Sequence, residues 1–168
     1  MGAFLTDIDS IKERGFVNKN VENNIITTTL RRVQDTMLLP ILGTTFFKRL
    51  LQGVEDSDLT ADETTLLNDY ILDFLTAAVD YRIVKPLSYE IRSKVVGQAK
   101  DEHIQPATQS QINELEDSLL EDVNVYRNKL IGYLKDNCEL FPTYKEYLCT
   151  FETIAPDKGE TRTRIRFI

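Results

Sequence analysis

The sequence is poor in the residues that build metal and redox sites. Its 168 residues include no tryptophan, one histidine and two cysteines, Cys138 and Cys149. A single histidine excludes every metal site that needs two imidazole ligands, and two isolated cysteines provide neither a zinc cluster nor a disulfide framework. The Gly-rich phosphate-binding pattern GxxxxGK(S/T) is also absent. We therefore expect no metal and no cofactor, and we expect both cysteines to stay reduced.

A catalytic set of residues is missing as well. His103 lies in DEHIQP, part of a stretch without periodicity that we expect to form an exposed loop, so we interpret it as a solvated histidine and not as a general base. Adjacent carboxylates such as Asp62 and Glu63 point about 100° apart on a helix and cannot act together on one substrate. The sequence thus predicts no catalytic residue and a protein that is not an enzyme.

Long apolar runs are absent too. The first residues, MGAFLTDIDSIKERG, lack the basic start and apolar stretch of a secretory signal, and no run approaches the roughly 18 apolar residues of a membrane span. The formal net charge of -7 disfavours general binding along a nucleic acid, because phosphates repel an acidic surface. Because no apolar run is long enough to span a membrane, we also expect no membrane partner.

The first half of the sequence contains three helical patterns separated by short turns. The first pattern follows residue 6 or 7 and ends at Gly15, which suits a left-handed cap. The second begins near Asn20 and kinks or ends near Leu39, because Pro40 lacks a backbone donor. Its apolar face consists of Val21, Ile25, Leu30, Val33 and Met37. The third, TTFFKRLLQG, is predicted to end at Gly53, before an acidic loop VEDSDL.

The second half contains two long helical patterns. A capping box of Thr60 and Glu63 opens the first, and Pro86 is predicted to close it. Its apolar stripe is Leu67, Tyr70, Ile71, Phe74, Leu75, Ala78 and Val79. LSYEIRSKVV is compatible with a helical turn or a short strand. After a polar loop, the second long helix runs from about Thr108 to Asn137. The apolar face of this second long helix is Ile112, Leu115, Leu119, Val123, Tyr126, Leu130 and Leu134. Pro142 then starts a last short helix.

These patterns predict an all-α fold. We expect a helical bundle of about four to five helices in residues 1–150, followed by an extended C-terminal tail in residues 151–168.

Two sets of charged residues are candidates for a subunit interface. The long last helix has an acidic back formed by Glu114, Glu116, Asp117, Glu121 and Asp122. Such a run is usually a solvated face, and the alternative is a docking surface for basic residues of a neighbouring subunit. Arg31, Arg32 and Arg82 flank apolar stripes, a placement that serves ion pairs within one chain or between subunits. We take Arg31, Arg32, Glu114, Asp117 and Glu121 as the candidate interface.

The final stretch, TRTRIRFI, has the alternation of a β-strand. In an extended chain Arg162, Arg164 and Arg166 share one side, and Ile165 and Phe167 share the other. We predict that residues 161–168, Ile168 included, add as a strand to the sheet edge of a partner, with the arginines facing carboxylates. The alternatives are a frayed terminus and a nucleic-acid-binding arm.

LLPILGTTFFKRLL (residues 38–51) resembles the signature of head–tail connector proteins of tailed bacteriophages, in which a helix ends in a P-x-L-G turn before a T-x-(F/L)-(Y/F)-x-x-L helix. LLNDYILDFLTAAVDYRIV (66–84) and KPLSYEIRSKVVGQ (85–98) continue the resemblance, as do the following loop and helix up to residue 137. The likeness is closest to the ring proteins of phages of Bacteroides-type hosts, the crAss-like group included.

The resemblance implies a structural virion protein, a head–tail adaptor assembled in the host cytoplasm. Such adaptors form homo-oligomeric rings, typically twelvefold, that bind beneath the portal protein and join it to tail or further ring proteins. Double-stranded DNA passes through the ring without sequence-specific binding, and an acidic surface suits that passage because it repels the duplex. The alternative function is a soluble helical regulatory module that binds a protein or nucleic acid through its arginine-rich tail.

Overall fold

A computed structural model of the chain describes residues 4–17, 21–95 and 109–147. Six helices, α1 to α6, form the fold in these ranges, so the prediction of an all-α bundle is confirmed. The predicted tail of residues 151–168 and the loop around His103 lie outside the described residues. The bounds are Ile8–Arg14 for α1; Asn23–Val33, a π-helical turn Gln34–Leu38 and Leu39–Leu42 for α2; Thr44–Asp56 for α3; Ala61–Leu66, a π-helical turn Leu67–Ile71 and Leu72–Val95 for α4; Gln109–Asp136 for α5; and residues 142–147 for α6.

Helix α4 is the centre of the bundle. All residues from Phe74 to Asp80 are buried, because α1 and α2 cover one side of this helix and α5 covers another. Such burial on all sides is typical of a core helix, in contrast to the one-sided stripe of a surface helix. Helix α6 adds Tyr144 to the core, whose ring lies 5.9 Å from that of Phe46 in α3.

The predicted starts of α1 and α4 are confirmed by their caps. The Asp7 side chain accepts a hydrogen bond from the Ser10 amide at 2.8 Å and caps α1. At the start of α4, the Glu63 amide donates to the Thr60 hydroxyl and the Thr60 amide donates to the Glu63 carboxylate. Both caps use a side chain that satisfies a free amide in the first turn, which is a local property of the sequence.

The predicted end of α3 is wrong in position, and the predicted end of α1 is right in position but not in conformation. Helix α3 continues past Gly53 to Asp56 and ends at Ser57, which has a left-handed conformation with φ 56°. The Asp58 amide then donates to the Gly53 carbonyl at 3.0 Å, so the helix closes one turn later than predicted. Gly15 does end α1, but its φ of −92° is extended and not left-handed. A Cβ there would lie 2.9 Å from an oxygen of Asp80, so this glycine permits a close approach of two chain segments.

Pro86 does not close α4 as predicted. The helix continues through it to Val95, so LSYEIRSKVV adopts the helical alternative up to that residue. A proline in a helix interior costs about 3 kcal/mol through a lost hydrogen bond and a clash with the preceding turn. Tertiary contacts on both sides offset this cost, because Ile83 is buried and Leu87 packs against the core.

Helix α2 was predicted to kink or to end near Leu39, and of these two alternatives the end does not occur. The π-helical turn Gln34–Leu38 precedes Pro40, and the Leu39 amide donates to the Gln34 carbonyl five residues back. This wider turn interrupts the regular hydrogen-bond ladder where the proline ring would otherwise clash with it. The helix therefore passes Pro40 and ends at Leu42, before Gly43.

The predicted face of α5 is confirmed at most of its positions, and Tyr126 also packs against the core. Leu119, Val123, Leu130 and Leu134 are buried, whereas Leu115 is 52% exposed. Glu116 lies beside α4 instead, where it pairs with Lys85.

Candidate functional site

A cleft lined by cations lies where α2, α4 and α5 meet. Its volume is about 590 Å³. Helix α2 contributes Arg32, helix α4 contributes Arg82 and Lys85, and helix α5 contributes Glu116; the remaining lining residues are Thr29, Thr36, Tyr81 and Pro86. We call this the basic cleft. It forms because the helix-packing contacts of α2 and α4 bring together arginines that are fifty residues apart in the sequence.

Only one of the three cations of the basic cleft has a carboxylate partner in the described residues. Lys85 Nζ lies 3.4 Å from Glu116 Oε2, and the Glu116 side chain is only 14% exposed. The Arg82 guanidinium lies 5.8 Å from the centre of the Tyr81 ring. Arg32 and Arg82 make no ion pair in these ranges and are exposed. Two guanidinium groups, each suited to bidentate binding of a carboxylate, therefore face solvent.

A second surface, on α5, carries the opposite charge. Glu114, Asp117 and Glu121 are all exposed, and their spacing of three and four residues places them on one face. Asp117 and Glu121 lie two positions before and after the buried Leu119, about 160° around the helix from it. We call this face the acidic stripe. In the described residues Asp117 and Glu121 make no ion pair, and Glu114 accepts a hydrogen bond from the Ser110 hydroxyl.

The structure separates several residues that the sequence grouped together. Arg31 does not line the basic cleft with Arg32, since neighbouring residues diverge by about 100°, and its guanidinium lies 5.5 Å from the centre of the Phe4 ring. Glu116 belongs to the basic cleft and not to the acidic back of α5. Asp122 lines a different small pocket and also leaves the acidic stripe.

That small pocket lies beside the segment that joins α1 to α2. Asp80 is buried in its wall, and its Oδ2 accepts a hydrogen bond from the Phe16 amide at 3.0 Å. Burial raises the pKa of Asp80 above its ordinary value, and two backbone hydrogen bonds counteract part of the rise. Its other oxygen, Oδ1, makes no hydrogen bond in the described residues. Arg14 pairs with Asp73 at 2.8 Å at the edge of the pocket.

A third groove, of about 470 Å³, lies between α2, α5 and α6. Met37, Ile41 and Ile131 form its apolar wall, and the Tyr147 hydroxyl donates to the Pro40 carbonyl at 3.1 Å.

The described helices give no sign of a metal site or a membrane segment. No group of three or more His, Cys, Asp or Glu side chains in the described ranges could hold a metal ion. None of the helices in those ranges has both the length and the apolar character that a membrane crossing requires. The predicted docking residues Arg162, Arg164, Ile165, Arg166, Phe167 and Ile168 lie outside the described residues, so their role stays a prediction.

The fold and these surfaces define a helical-bundle protein whose distinguishing features are two faces of opposite charge. The chain belongs to a family described as "Family of unknown function (DUF6712)", whose model matches residues 38–150. The match begins in the π-helical turn of α2 and therefore covers α3, α4, α5 and α6. No curated protein and no solved structure matches the chain.

Proposed function

We propose that this protein is a head–tail adaptor of a tailed bacteriophage. Copies of the chain assemble into a ring beneath the portal protein, the ring continues the DNA channel, and it joins the portal to tail or further ring proteins. The protein acts in the virion, at the head–tail interface, and it carries out no catalysis.

One observation carries the proposal: a single protomer presents two exposed surfaces of opposite charge on different sides of α5. A ring of identical copies in head-to-tail contact requires two different, complementary faces on each copy. The basic cleft, with Arg32 and Arg82, and the acidic stripe, with Asp117 and Glu121, meet that requirement.

The resemblance to connector proteins, which covers about residues 20 to 137, supports the same function. Its P-x-L-G segment coincides with the turn at Gly43 between α2 and α3, and its long helical segment coincides with the central helix α4. The resembling stretches thus form the frame that positions the basic cleft. In this proposal residues 161–168 extend from the ring and add as a strand to the portal, the tail or a ring neighbour.

The test is size-exclusion chromatography with light scattering on the full chain, alone and with the portal protein of the same genome. We expect a ring-sized assembly, or a stoichiometric complex with the portal. A variant that lacks residues 161–168 should keep its helical circular dichroism, because the described helices bury their core against one another, and should bind the portal more weakly. A strict monomer that ignores the portal and binds DNA would contradict the adaptor and support the regulatory module.

A further inference from the structure

We propose that the basic cleft of one protomer binds the acidic stripe of the next copy of the chain. Arg32 and Arg82 of one copy then pair with Asp117 and Glu121 of its neighbour. This inference rests on the proposed function, since it assigns the contact from which the ring is built.

The basic cleft already binds a carboxylate within the chain. Glu116 reaches from α5 to Lys85 at 3.4 Å, although the Glu116 side chain is largely buried. A carboxylate carried on a helix therefore fits this cleft without any change of the fold. The guanidinium groups of Arg32 and Arg82 line the same cleft and have no carboxylate in the described residues. The N–H groups of a guanidinium suit a planar acceptor that takes two parallel hydrogen bonds. In a protein partner, that acceptor is a carboxylate.

The acidic stripe supplies the matching carboxylates on a rigid support. Glu114 and Glu121 are seven residues apart, so the stripe extends about 10 Å along the helix axis. Val125 lies one turn beyond Glu121 and is 51% exposed, which adds an apolar contact at the end of the stripe. Tyr81 and Pro86 offer apolar surface in the basic cleft. Apolar contact within a charged rim is the usual composition of a protein interface.

The two surfaces face in different directions, which determines the symmetry of the contact. Glu116 lies on the side of α5 that faces α4 and lines the cleft, whereas Asp117 and Glu121 lie on the opposite side. A two-fold dimer would need one self-complementary patch, and these surfaces are separate. Each contact therefore leaves one cleft and one stripe free, and the chain of contacts propagates until a ring closes.

The test uses two variants that each damage one surface. The stripe variant carries Glu114→Gln, Asp117→Asn and Glu121→Gln, and the cleft variant carries Arg32→Glu and Arg82→Glu. All five residues are exposed, so we expect wild-type helical content and unfolding midpoints. The control carries Glu13→Gln, Glu55→Gln and Asp69→Asn, which neutralises the same number of exposed carboxylates elsewhere.

Light scattering is measured under the conditions in which the wild type assembles. Each damaged variant should need roughly tenfold or more protein to assemble, whereas the control behaves as the wild type. A mixture of the two variants should yield a 1:1 heterodimer and nothing larger, because it contains one intact cleft and one intact stripe per pair. Assembly of both variants at the wild-type concentration would overturn the inference and leave the adaptor function standing. Failure of the wild type to assemble with or without the portal would overturn both.

Discussion

The turn between α2 and α3 depends on Gly43, and replacing this residue with alanine should destabilise the protein strongly. Gly43 has φ 74° and ψ 156°, a region that only glycine adopts without strain. A Cβ at this position would lie 2.5 Å from ring carbons of Tyr147, against an ordinary contact distance of about 3.5–4.0 Å between carbons. The Tyr147 ring cannot move away freely, because its hydroxyl donates to the Pro40 carbonyl.

These terms set the size of the effect of Gly43→Ala. The backbone strain costs about 1–3 kcal/mol, and displacing Tyr147 sacrifices a hydrogen bond of about 0.5–1.5 kcal/mol. We therefore expect a loss of about 2–4 kcal/mol in the free energy of unfolding, a large part of the 5–15 kcal/mol typical of a domain. The matched control is Gly132→Ala in α5, where a Cβ meets no atom within 4 Å. There alanine should stabilise the helix by about 0.5–1 kcal/mol.

Urea unfolding followed by circular dichroism measures the unfolding free energy of both variants. The same measurement is made on Tyr147→Ala alone and on the variant that combines Tyr147→Ala with Gly43→Ala. The losses of the two single variants should together exceed the loss of the combined variant by about 1 kcal/mol, because the combined variant loses the Tyr147 hydrogen bond only once and keeps the backbone strain. Equal stability of Gly43→Ala and the wild type would refute the reasoning. A combined variant as stable as Tyr147→Ala alone would show that alanine at position 43 causes no backbone strain.

Two further predictions concern the caps and the buried carboxylate. Thr60→Ala removes the hydroxyl that accepts from the Glu63 amide and should lower the unfolding free energy by about 1 kcal/mol, seen as a lower urea midpoint; an unchanged midpoint would contradict this role of the cap. The pKa of Asp80 is raised by burial, so the wild type loses stability as the pH rises from the ordinary value of 3.8 through the raised one. Asp80→Asn lacks this loss, and its stability relative to the wild type should grow with pH in urea titrations at about pH 4 to 7; a constant difference would exclude Asp80 as the cause.

Features that depend on residues close in sequence could be predicted. The caps at Asp7 and Thr60 each involve a side chain and an amide three residues apart, so the pattern of letters contains the whole interaction. The span of α5 was predicted for a similar reason, because its apolar residues recur with the helical period over 28 residues.

Features that depend on packing between distant parts of the chain could not be predicted. A proline usually ends a helix, yet α4 passes Pro86 because the residues around it are held by the core, and α2 passes Pro40 through a π-helical turn. The sequence around each proline contains no signal for these outcomes. The end of α3 was misplaced for a related reason, since Gly53 lies under the Leu59 side chain inside the fold.

The same distinction between local and packing-dependent features applies to the candidate site. The acidic stripe follows from helical spacing alone. The same spacing could have placed Glu116 on the buried side, because it lies seven residues, about two turns, before the buried Val123. The basic cleft could not be predicted, although its arginines were recognised singly. Arg32 and Arg82 converge only through the packing of α2 against α4.

The folding unit is larger than the family match. The match begins at Leu38, but Leu5, Ile11 and Val17 from the preceding residues are buried in the same core as α4. Buried polar side chains fix this segment at both ends: the Leu5 amide donates to Gln34 at 3.1 Å, and the Phe16 amide donates to Asp80. A core fragment limited to residues 38–150 would uncover one side of α4 and leave the Asp80 carboxylate without a described donor. The N-terminal segment is therefore part of the structure that holds α2 against α4, and so of the structure that forms the basic cleft.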